Sequence, residues 1–395
     1  MSPDVTPVLR PALELYLDLH RHPELSGAEA RTAARFADRL HRVGFRVLTG
    51  IGGHGVVGVL RAGPGPVVLI RAELDGLPVR ERTGLPYAST DVVPDPRTGE
   101  PVPVMHACGH DAPLACAAGA ADLLARDRDW RGTLLVVGQP AEETLTGARA
   151  MLSDGLYDRV GVPDVVLAQH TAPLPAGMVA HGTGAVLAGS SALALEIRGR
   201  GGHAALPQLT VNPIEVAARV VLGLPGLDPD VSATAGALHA GARGNVVPDV
   251  ATLELSLRGF SAAALERAEQ AVCRLATGSE PPGLTVLARS PVTTVDPDAA
   301  EPVRSAHEAA FGPARVATWP GSLATEDVGW FAAAGASLHG GTGIRLAHWM
   351  LGSAGRTQWT GAAPNHSSGY APDPKGTLTT GIAALVLAAR AQLAR

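Results

Sequence analysis

The sequence predicts an α/β protein with a doubly wound, mostly parallel sheet and an inserted domain of ferredoxin-like (βαββαβ) topology. Before residue 185, uninterrupted apolar strands alternate with helices, as in a parallel sheet that is buried on both faces. From residue 186 to 291 the strands alternate apolar and polar residues, as in a sheet with one exposed face. The chain has 395 residues, which also favours more than one domain.

The first part of the chain contains the elements of a parallel sheet. A helix is predicted over 26–44, because Ser26 and Glu29 have the spacing of a capping box and Gly44 occupies the position of a C-terminal glycine cap. Buried strands are predicted at 66–74, 132–143 and 163–170, and an alanine-rich helix at 111–128.

The middle of the chain has the strand and helix order of a ferredoxin-like domain. Strands are predicted at 191–199, 231–241, 250–260 and 284–292, and helices at 212–224 and 261–276, the second with Ser261 as its N-cap. Patterns similar to those of the first part resume near residue 300. We therefore predict an α/β domain in two parts, 1–185 and 292–395, with the inserted domain at 186–291.

Composition excludes several classes of protein. The net charge is −5 and no basic stripe is present, so a nucleic acid is not expected as a partner. No apolar run approaches the roughly 20 residues that cross a bilayer, and the N-terminal residues lack the apolar segment of a secretory signal. The three cysteines do not form a disulfide framework and are typical of a reducing compartment. We expect a cytoplasmic protein with no membrane partner.

Polar residues follow the predicted strands where each one ends. In an open parallel sheet, functional groups lie just beyond the carboxyl ends of the strands, so these side chains are expected to meet in one crevice. They are Asp75, Glu142, Glu143 and His170, together with Cys108 and His110 just before the helix at 111.

The residue types in this group favour a metal site. Cys108 and His110 alternate, so both can face one site, and the adjacent carboxylates of Glu142 and Glu143 are costly to bury without a cation. Thiolate, imidazole and carboxylate suit Zn²⁺ or a similar ion. Four ligands, Cys108, His110, Glu143 and His170, would complete the tetrahedral coordination of one ion. With one further ligand, and with one ligand shared between the ions, the site would hold two ions about 3.5–4 Å apart.

Three other interpretations of Cys108 stay open from the residues alone. It could be a nucleophile beside a histidine, a redox thiol, or a small buried residue. The redox interpretation is disfavoured because no Cys-x-x-Cys pair is present. Only the metal interpretation gives Cys108, the carboxylate pair and His170 one shared role, the binding of a cation.

Five motifs together resemble the metallo-amidohydrolases of the aminoacylase/carboxypeptidase superfamily, in particular the hippurate hydrolase and auxin-conjugate hydrolase subgroup. The motifs are HRHPELSG, HACGHD, QPAEE, GRGGHAALP and GNVVPD, in that order from about residue 20 to 260. The resemblance implies a zinc-peptidase-like catalytic domain, an inserted ferredoxin-like lid and two divalent metal ions, Zn or Mn. A homodimer formed through the lid is a further expectation from the resemblance.

The resemblance also implies roles for individual residues. Cys108 matches the cysteine that bridges the two ions, and the other matched ligands are His110, Glu143 and His170. Glu142 matches the carboxylate that activates water, and Asp75 an acid beside a ligand. In the lid, His203 matches a histidine that stabilises the oxyanion, and Asn245 resembles a residue that faces substrate. Arg258 is a candidate partner for a substrate carboxylate, with an ordinary exposed strand arginine as the alternative.

The chain departs from the family pattern at the last metal ligand. The family has a histidine near the C-terminus, and we assign His366 in APNHSSGYAPD because of its Pro-Asn-His setting and its distance from the end. His339 and His348 are the alternatives. The segment GSLATEDVGWF is similar to a family helix, in which Glu326 and Asp327 are expected to support the site.

The resemblance implies hydrolysis of the amide bond of N-acyl amino acids by a metal-activated water. Two alternatives stay open: a dipeptidase or aminopeptidase-type peptidase of the same superfamily, and a metal-poor, non-catalytic homologue used for binding. The expected partner is a small-molecule substrate, either an N-acyl amino acid or a short peptide.

Overall fold

A computed structural model describes residues 2–277, 281–355 and 361–393. Internal contacts divide the chain into two compact units. The first unit comprises Met1–Gly184, Thr294–Pro320 and Asp327–Arg395, and the second comprises Ala185–Thr293 and Gly321–Glu326.

The elements before residue 185 build most of the first unit. They are α1 (Thr6–Arg21), α2 (Ala30–Arg42), β1 (Arg46–Ile51), β2 (Gly55–Arg61), β3 (Val67–Glu73), β4 (Val92–Pro94), β5 (Pro101–Pro103), α3 (Asp111–Arg126), β6 (Thr133–Gln139), α4 (Gly147–Ser153), α5 (Leu156–Val160), β7 (Val165–Pro175) and β8 (Val179–His181). The side chains of β3 and β6 are buried along almost their whole length, as their uninterrupted apolar runs predict.

The second unit has the predicted ferredoxin-like topology. Its elements are β9 (Gly184–Arg198), β10 (Gly202–His203), α6 (Pro213–Gly223), β11 (Val231–Ala240), β12 (Val246–Val247), β13 (Val250–Gly259), α7 (Ala262–Leu275) and β14 (Gly283–Ser290). The antiparallel strand order is β11-β13-β9-β14, and α6 and α7 pack on one face of this sheet. Ser261 caps α7 as predicted, because its side chain accepts a hydrogen bond from the Ala264 N–H.

The remaining elements return to the first unit, except for β17 and the start of β15. They are β15 (Thr293–Val295), α8 (Pro297–Phe311), β16 (Val316–Thr318), β17 (Ser322–Thr325), α9 (Ala336–His339), β18 (Arg345–Ala354) and α10 (Pro374–Gln392). Both β15 and β17 pair with β9. Residues 321–326, predicted within the second part of the α/β domain, therefore belong to the second unit.

The sheet of the first unit has eight strands among the described residues, in the order β1-β2-β6-β3-β7-β18-β8-β16. The four central strands, β6, β3, β7 and β18, run parallel, whereas β1, β2 and β8 join antiparallel neighbours. Apolar clusters cover both faces. This arrangement confirms the predicted α/β fold class. None of the described helices combines the length and the hydropathy of a membrane span.

Two predicted boundaries need correction. The helix predicted over 26–44 begins at Ala30, and Ser26 and Glu29 do not form a capping box. The Glu24 carboxylate instead accepts hydrogen bonds from the N–H groups of Arg31 and Thr32, which satisfies the first turn from outside the helix. Strand β7 continues five residues beyond His170, to Pro175, so this histidine lies within the strand.

Candidate metal centre

The candidate metal centre lies in the first unit, where the central parallel strands end. Asp75 follows β3, Glu142 and Glu143 follow β6, and His170 lies on β7. The loop from β5 to α3 brings in Cys108 and His110. Gly109 between them has a φ of 76°, and a Cβ there would lie 2.7 Å from the Tyr370 ring, so the close approach of this loop requires glycine.

Cys108 lies between two histidines from distant parts of the chain. Its Sγ is 3.4 Å from Nε2 of His170 and 3.3 Å from Nε2 of His366. The same His366 Nε2 is 3.4 Å from Oε2 of Glu143. The thiol, imidazole and carboxylate donors are therefore close enough together to bind the same metal ion.

His110 faces the two adjacent carboxylates. Its Nε2 is 3.7 Å from Oε2 of Glu142 and 3.8 Å from Oε1 of Glu143, both beyond hydrogen-bond range. The imidazole is 1% exposed, and its Nε2 has no hydrogen-bond partner among the described residues. A buried ring nitrogen that faces carboxylates at this distance is expected to have a cation between them.

The donor atoms form overlapping groups of three in which all atoms lie within 4.8 Å of one another. Three of these groups are Cys108 with His110 and His170, Cys108 with Glu143 and His366, and His110 with Glu142 and Glu143. The first two groups share only the Cys108 sulfur.

Two histidines present the nitrogen that a metal requires. Nδ1 of His110 is 2.9 Å from the Asp75 carbonyl oxygen, and Nδ1 of His170 is 2.8 Å from that of Thr171. A proton on each Nδ1 satisfies these carbonyls and leaves Nε2 as a lone-pair donor. Metal-ligating histidines are commonly oriented in this way.

The electrostatics of the site require positive charge. Burial and the nearby carboxylates of Glu143 and Glu142 hold the pKa of the Cys108 thiol well above its usual value. Burial lowers the pKa of His110, but the Asp75 hydrogen bond and the surrounding carboxylates outweigh burial and raise it to about 10. Without a metal ion, Cys108 is thus a neutral thiol, which disfavours the nucleophile interpretation.

Asp75 forms hydrogen bonds that hold the segments of the proposed ligands in place. Its Oδ2 accepts hydrogen bonds from the Ser26 hydroxyl at 2.7 Å and the Glu143 N–H at 2.9 Å. Burial raises the pKa of this carboxyl, but the hydrogen bonds from His110, Ser26 and Glu143 lower it below its usual value. Asp75 therefore stays ionised and holds both His110 and the Glu143 turn.

The residues present fit a divalent metal group. The donor set contains buried carboxylates, a thiol held neutral by its surroundings and histidines that present Nε2, including a His110 Nε2 with no hydrogen-bond partner in the described part of the chain. Such a set suits a transition ion such as Zn²⁺.

Of the three candidates for the last ligand, His366 alone lies at this centre. Its N–H donates to the Ala107 carbonyl at 2.7 Å, and its φ of 69° turns the chain toward the Cys108 loop. His339 is elsewhere, with its Nε2 3.1 Å from the Ala332 carbonyl oxygen. His348 is buried on β18 opposite Ala168 of β7.

The predicted substrate-facing residues belong to the second unit. His203 is exposed on β10, and its Nδ1 accepts the Ala205 N–H. The Asn245 carbonyl accepts the Ala204 N–H, and the Arg258 guanidinium donates to the Leu323 carbonyl at 3.0 Å. Their roles toward a substrate stay predictions.

Sequence analysis missed a buried ionic group, the Arg71 cluster, formed by Arg71, Glu73, Gln139 and Asp327. Arg71 donates to Gln139 Oε1 at 2.7 Å, to Asp327 Oδ1 at 2.9 Å and to Glu73. The sequence signal for this cluster was Arg71, a charged residue within an apolar strand, because a buried arginine requires acidic partners. The Oδ2 of Asp327 also accepts the Ala148 N–H at the start of α4, and its expected support of the site stays a prediction.

Comparison with known proteins identifies the family. The model of "Peptidase family M20/M25/M40" matches residues 69–389. The chain belongs to this family. Its membership confirms the resemblance stated above and the prediction of a hydrolase of the metal-dependent amidohydrolase and peptidase type.

Individual relatives agree with the family assignment. The hippurate hydrolase of Campylobacter jejuni is 35% identical over 269 residues, covering 66% of this chain and 67% of the relative. The N-acetylcysteine deacetylase of Bacillus subtilis is 33% identical over 276 residues, covering 66% and 68%. A crystal structure from methicillin-resistant Staphylococcus aureus, assigned as an aminohydrolase, has a TM-score of 0.82 at 28% identity and covers 98% of this chain and 99% of its own.

Proposed function

We propose that this M20-family protein hydrolyses the amide bond of N-acyl amino acids at a centre that holds two divalent metal ions, Zn or Mn. The observation that carries the proposal is the pair of three-residue donor groups that share only the Cys108 sulfur. One group would hold each ion. The products are a carboxylic acid and a free amino acid, so water is the only co-reactant.

Five residues would hold the ions: Cys108, His110, Glu143, His170 and His366. When bound, the ions would supply positive charge that acidifies water and polarises the amide carbonyl. The buried carboxylates and the raised pKa of the Cys108 thiol support this assignment, because each needs a cation to carry negative charge.

Glu142 is the proposed general base. Its side chain is 6% exposed, it shares a turn with Glu143, and its Oε2 points toward His110 Nε2 at 3.7 Å. The carboxylate takes a proton from the attacking water and delivers it to the amine nitrogen as the amide C–N bond breaks.

The substrate class rests on the relatives. The names of the Campylobacter jejuni hippurate hydrolase, the Bacillus subtilis N-acetylcysteine deacetylase and an Arabidopsis thaliana IAA-amino acid hydrolase each specify an acylated amino acid. Peptide hydrolysis is the second candidate, because a Saccharolobus solfataricus relative at 32% identity is named thermostable carboxypeptidase 1. His203 and Asn245 are proposed to contact substrate on the strength of their motifs, and Arg258 is proposed as a partner for the substrate carboxylate.

The test compares wild type with Glu142→Gln on hippurate, N-acetylcysteine, indoleacetyl-alanine and a set of dipeptides. We expect wild type to prefer the acylated amino acids, and the variant to lose about 10²- to 10⁴-fold in kcat. Metal content, measured by mass spectrometry, should stay at two ions per chain. Glu14→Gln, at an exposed acid of α1, is the control and should keep full activity.

Three outcomes would contradict parts of the proposal. Wild-type turnover by Glu142→Gln with both ions bound would remove the base assignment. A covalent acyl-thioester at Cys108 would make this residue the nucleophile. A wild-type protein that binds no ion would favour the non-catalytic alternative. The cytoplasmic location and the homodimer stay predictions.

A further inference from the structure

Glu29 is a buried acid behind the candidate metal centre that none of the proposed roles uses. It has no exposed surface. Its Oε1 accepts hydrogen bonds from two backbone N–H groups, those of Gly27 and Ala141, each at 2.8 Å. Its Oε2 is also shielded from solvent and has no hydrogen-bond partner among the described residues. The contact with Ala141 joins segments that are 112 positions apart in the sequence.

Ala141 begins the turn that carries Glu142 and Glu143. Its φ is 51°, a left-handed conformation that a residue with a Cβ rarely adopts. Its carbonyl accepts the N–H groups of Thr146 and Gly147, which closes the turn. Because such a conformation persists only when its surroundings hold it, the Glu29 carboxylate on the Ala141 N–H is part of what holds this turn.

The far side of the same turn is held from the same segment. The Ser26 hydroxyl donates to Asp75 Oδ2, and that oxygen also accepts the Glu143 N–H. Residues 26–29 therefore fix the turn on both sides of Glu142, directly through Glu29 and indirectly through Asp75. Glu142 itself lies between these two anchor points.

We infer that Glu29 is a positioning residue for the base: it holds the Ala141 N–H so that the Glu142 carboxylate faces the reacting water. This inference rests on the proposed role of Glu142. Displacement of a catalytic group by about 1 Å can lower the rate about 100-fold, so the effect should appear in kcat. Metal binding should change little, because the Glu143 N–H is still held by Asp75, and substrate affinity should change little, because the residues proposed to contact substrate lie elsewhere.

The chain offers a matched control in Glu24. Its carboxylate also accepts two backbone N–H groups, but these belong to Arg31 and Thr32 in the first turn of α2. Glu24→Ala removes a comparable pair of hydrogen bonds without touching the Ala141 turn. Glu29→Gln keeps an oxygen acceptor in place and tests whether the acceptor or the charge is required.

The experiment measures kcat, KM for hippurate, metal content and the urea midpoint of Glu29→Ala, Glu29→Gln and Glu24→Ala. We expect Glu29→Ala to lower kcat about 10- to 100-fold with KM unchanged and two ions bound. Glu29→Gln should recover kcat to within about threefold, because its side-chain oxygen still accepts the two hydrogen bonds. Glu24→Ala should lower the urea midpoint and leave kcat per folded molecule unchanged.

A second measurement does not depend on activity. In the metal-free proteins, hydrogen exchange of the backbone amides should accelerate over residues 141–147 in Glu29→Ala and over the first turn of α2 in Glu24→Ala. This contrast would show that each carboxylate holds its own segment, even if a variant is too unstable for kinetics.

Specific results would overturn the inference. They are a wild-type kcat in Glu29→Ala at full metal content, unchanged exchange over 141–147, or a loss of kcat in Glu24→Ala equal to that in Glu29→Ala. Failure of the proposed function is separate, because it would appear as full activity in Glu142→Gln. An inactive Glu142→Gln beside a fully active Glu29→Ala would contradict the positioning role alone.

Discussion

The Arg71 cluster and the candidate metal centre lie where strands β3 and β6 end, and both bury carboxylates, but their distances differ. In the Arg71 cluster the groups are in direct contact: the guanidinium contacts the carboxylates of Glu73 and, at 2.9 Å, Asp327, and it also donates to the neutral Gln139 amide oxygen at 2.7 Å. In the metal centre the donor atoms stand 3.3–3.8 Å apart. The first set of acids has a cation in the chain, and the second is spaced for a cation from solution.

In a third region, a titratable histidine provides the positive charge for two buried acids. His20 lies between two buried acids, with Nδ1 2.7 Å from Asp111 Oδ2 and Nε2 3.1 Å from Glu81 Oε1. Burial lowers the pKa of His20, but the hydrogen bonds to Asp111 and Glu81 outweigh burial and raise it to about 9. Each region balances its buried acids with positive charge: Arg71 in the first, the proposed metal ions in the second and a protonated His20 in the third. The three regions should therefore respond to different perturbations.

The largest effect is expected for Arg71→Leu. Removing one member of a buried ion pair leaves Glu73 and Asp327 without the guanidinium, which costs about 3–5 kcal/mol of unfolding free energy. Urea denaturation of the metal-loaded protein measures it. Arg10→Ala is the control, because Arg10 pairs with Glu14 at the surface and its side chain is 88% exposed, so a change below about 1 kcal/mol is expected. Equal effects of both substitutions would contradict the comparison.

Metal removal is expected to have the next largest effect. A ligand that binds only the folded state adds about 4 kcal/mol at 1,000 times its Kd, so chelation should lower the melting temperature of wild type and abolish activity. The chelator should lower the melting temperature much less in a variant that lacks a ligand, His170→Ala. A melting temperature that does not depend on metal would show that the buried carboxylates are neutralised in another way.

A pH-dependent loss of stability is expected from His20. A pKa raised from 6.5 to about 9 contributes about 3 kcal/mol, because the folded state holds the proton more tightly. This contribution is complete below pH 6.5 and is lost as the pH rises through about 9. In His20→Gln the difference from wild type should therefore shrink as the pH rises over this range.

The control for this measurement is His22→Gln. The His22 side chain pairs with Asp91 at 3.2 Å but is 42% exposed, so solvent should screen the interaction. Urea midpoints at pH 6 and pH 9.5 for the three proteins separate the two histidines. A His20→Gln profile parallel to that of wild type would show that the imidazole is not a buried cation.

These regions also show how far sequence reasoning reaches. The strands around β3 and β6 follow from uninterrupted apolar runs, and the donors at their ends follow from the topology of parallel sheets. The position of His366 came from resemblance alone, because a long-range approach to Cys108 leaves no local pattern. The capping box was wrong for the same reason: Ser26 and Glu29 have helix-start spacing, but distant partners at Asp75 and Ala141 bind them instead.

The smallest effect is expected for Asn365→Ala. The Asn365 amide donates to the Cys108 carbonyl at 3.0 Å and to the Thr171 carbonyl at 3.2 Å, which ties the His366 segment to two ligand-bearing segments. Residues that orient metal ligands typically contribute about 10- to 100-fold to metal affinity. We therefore expect weaker binding of one ion, measured by competition with a chromophoric chelator, and little change in the affinity of the other.

Asn212→Ala is the matched control, because Asn212 caps α6 in the second unit by accepting the Ile214 N–H. It should lower stability by about 1 kcal/mol and leave both metal affinities unchanged. If Asn365→Ala weakens both ions equally, the His366 segment is not specific to one of them, and the division of donors into two groups around Cys108 is incorrect. Loss of one ion alone, with the other retained, would support a separate position for each ion on either side of the sulfur.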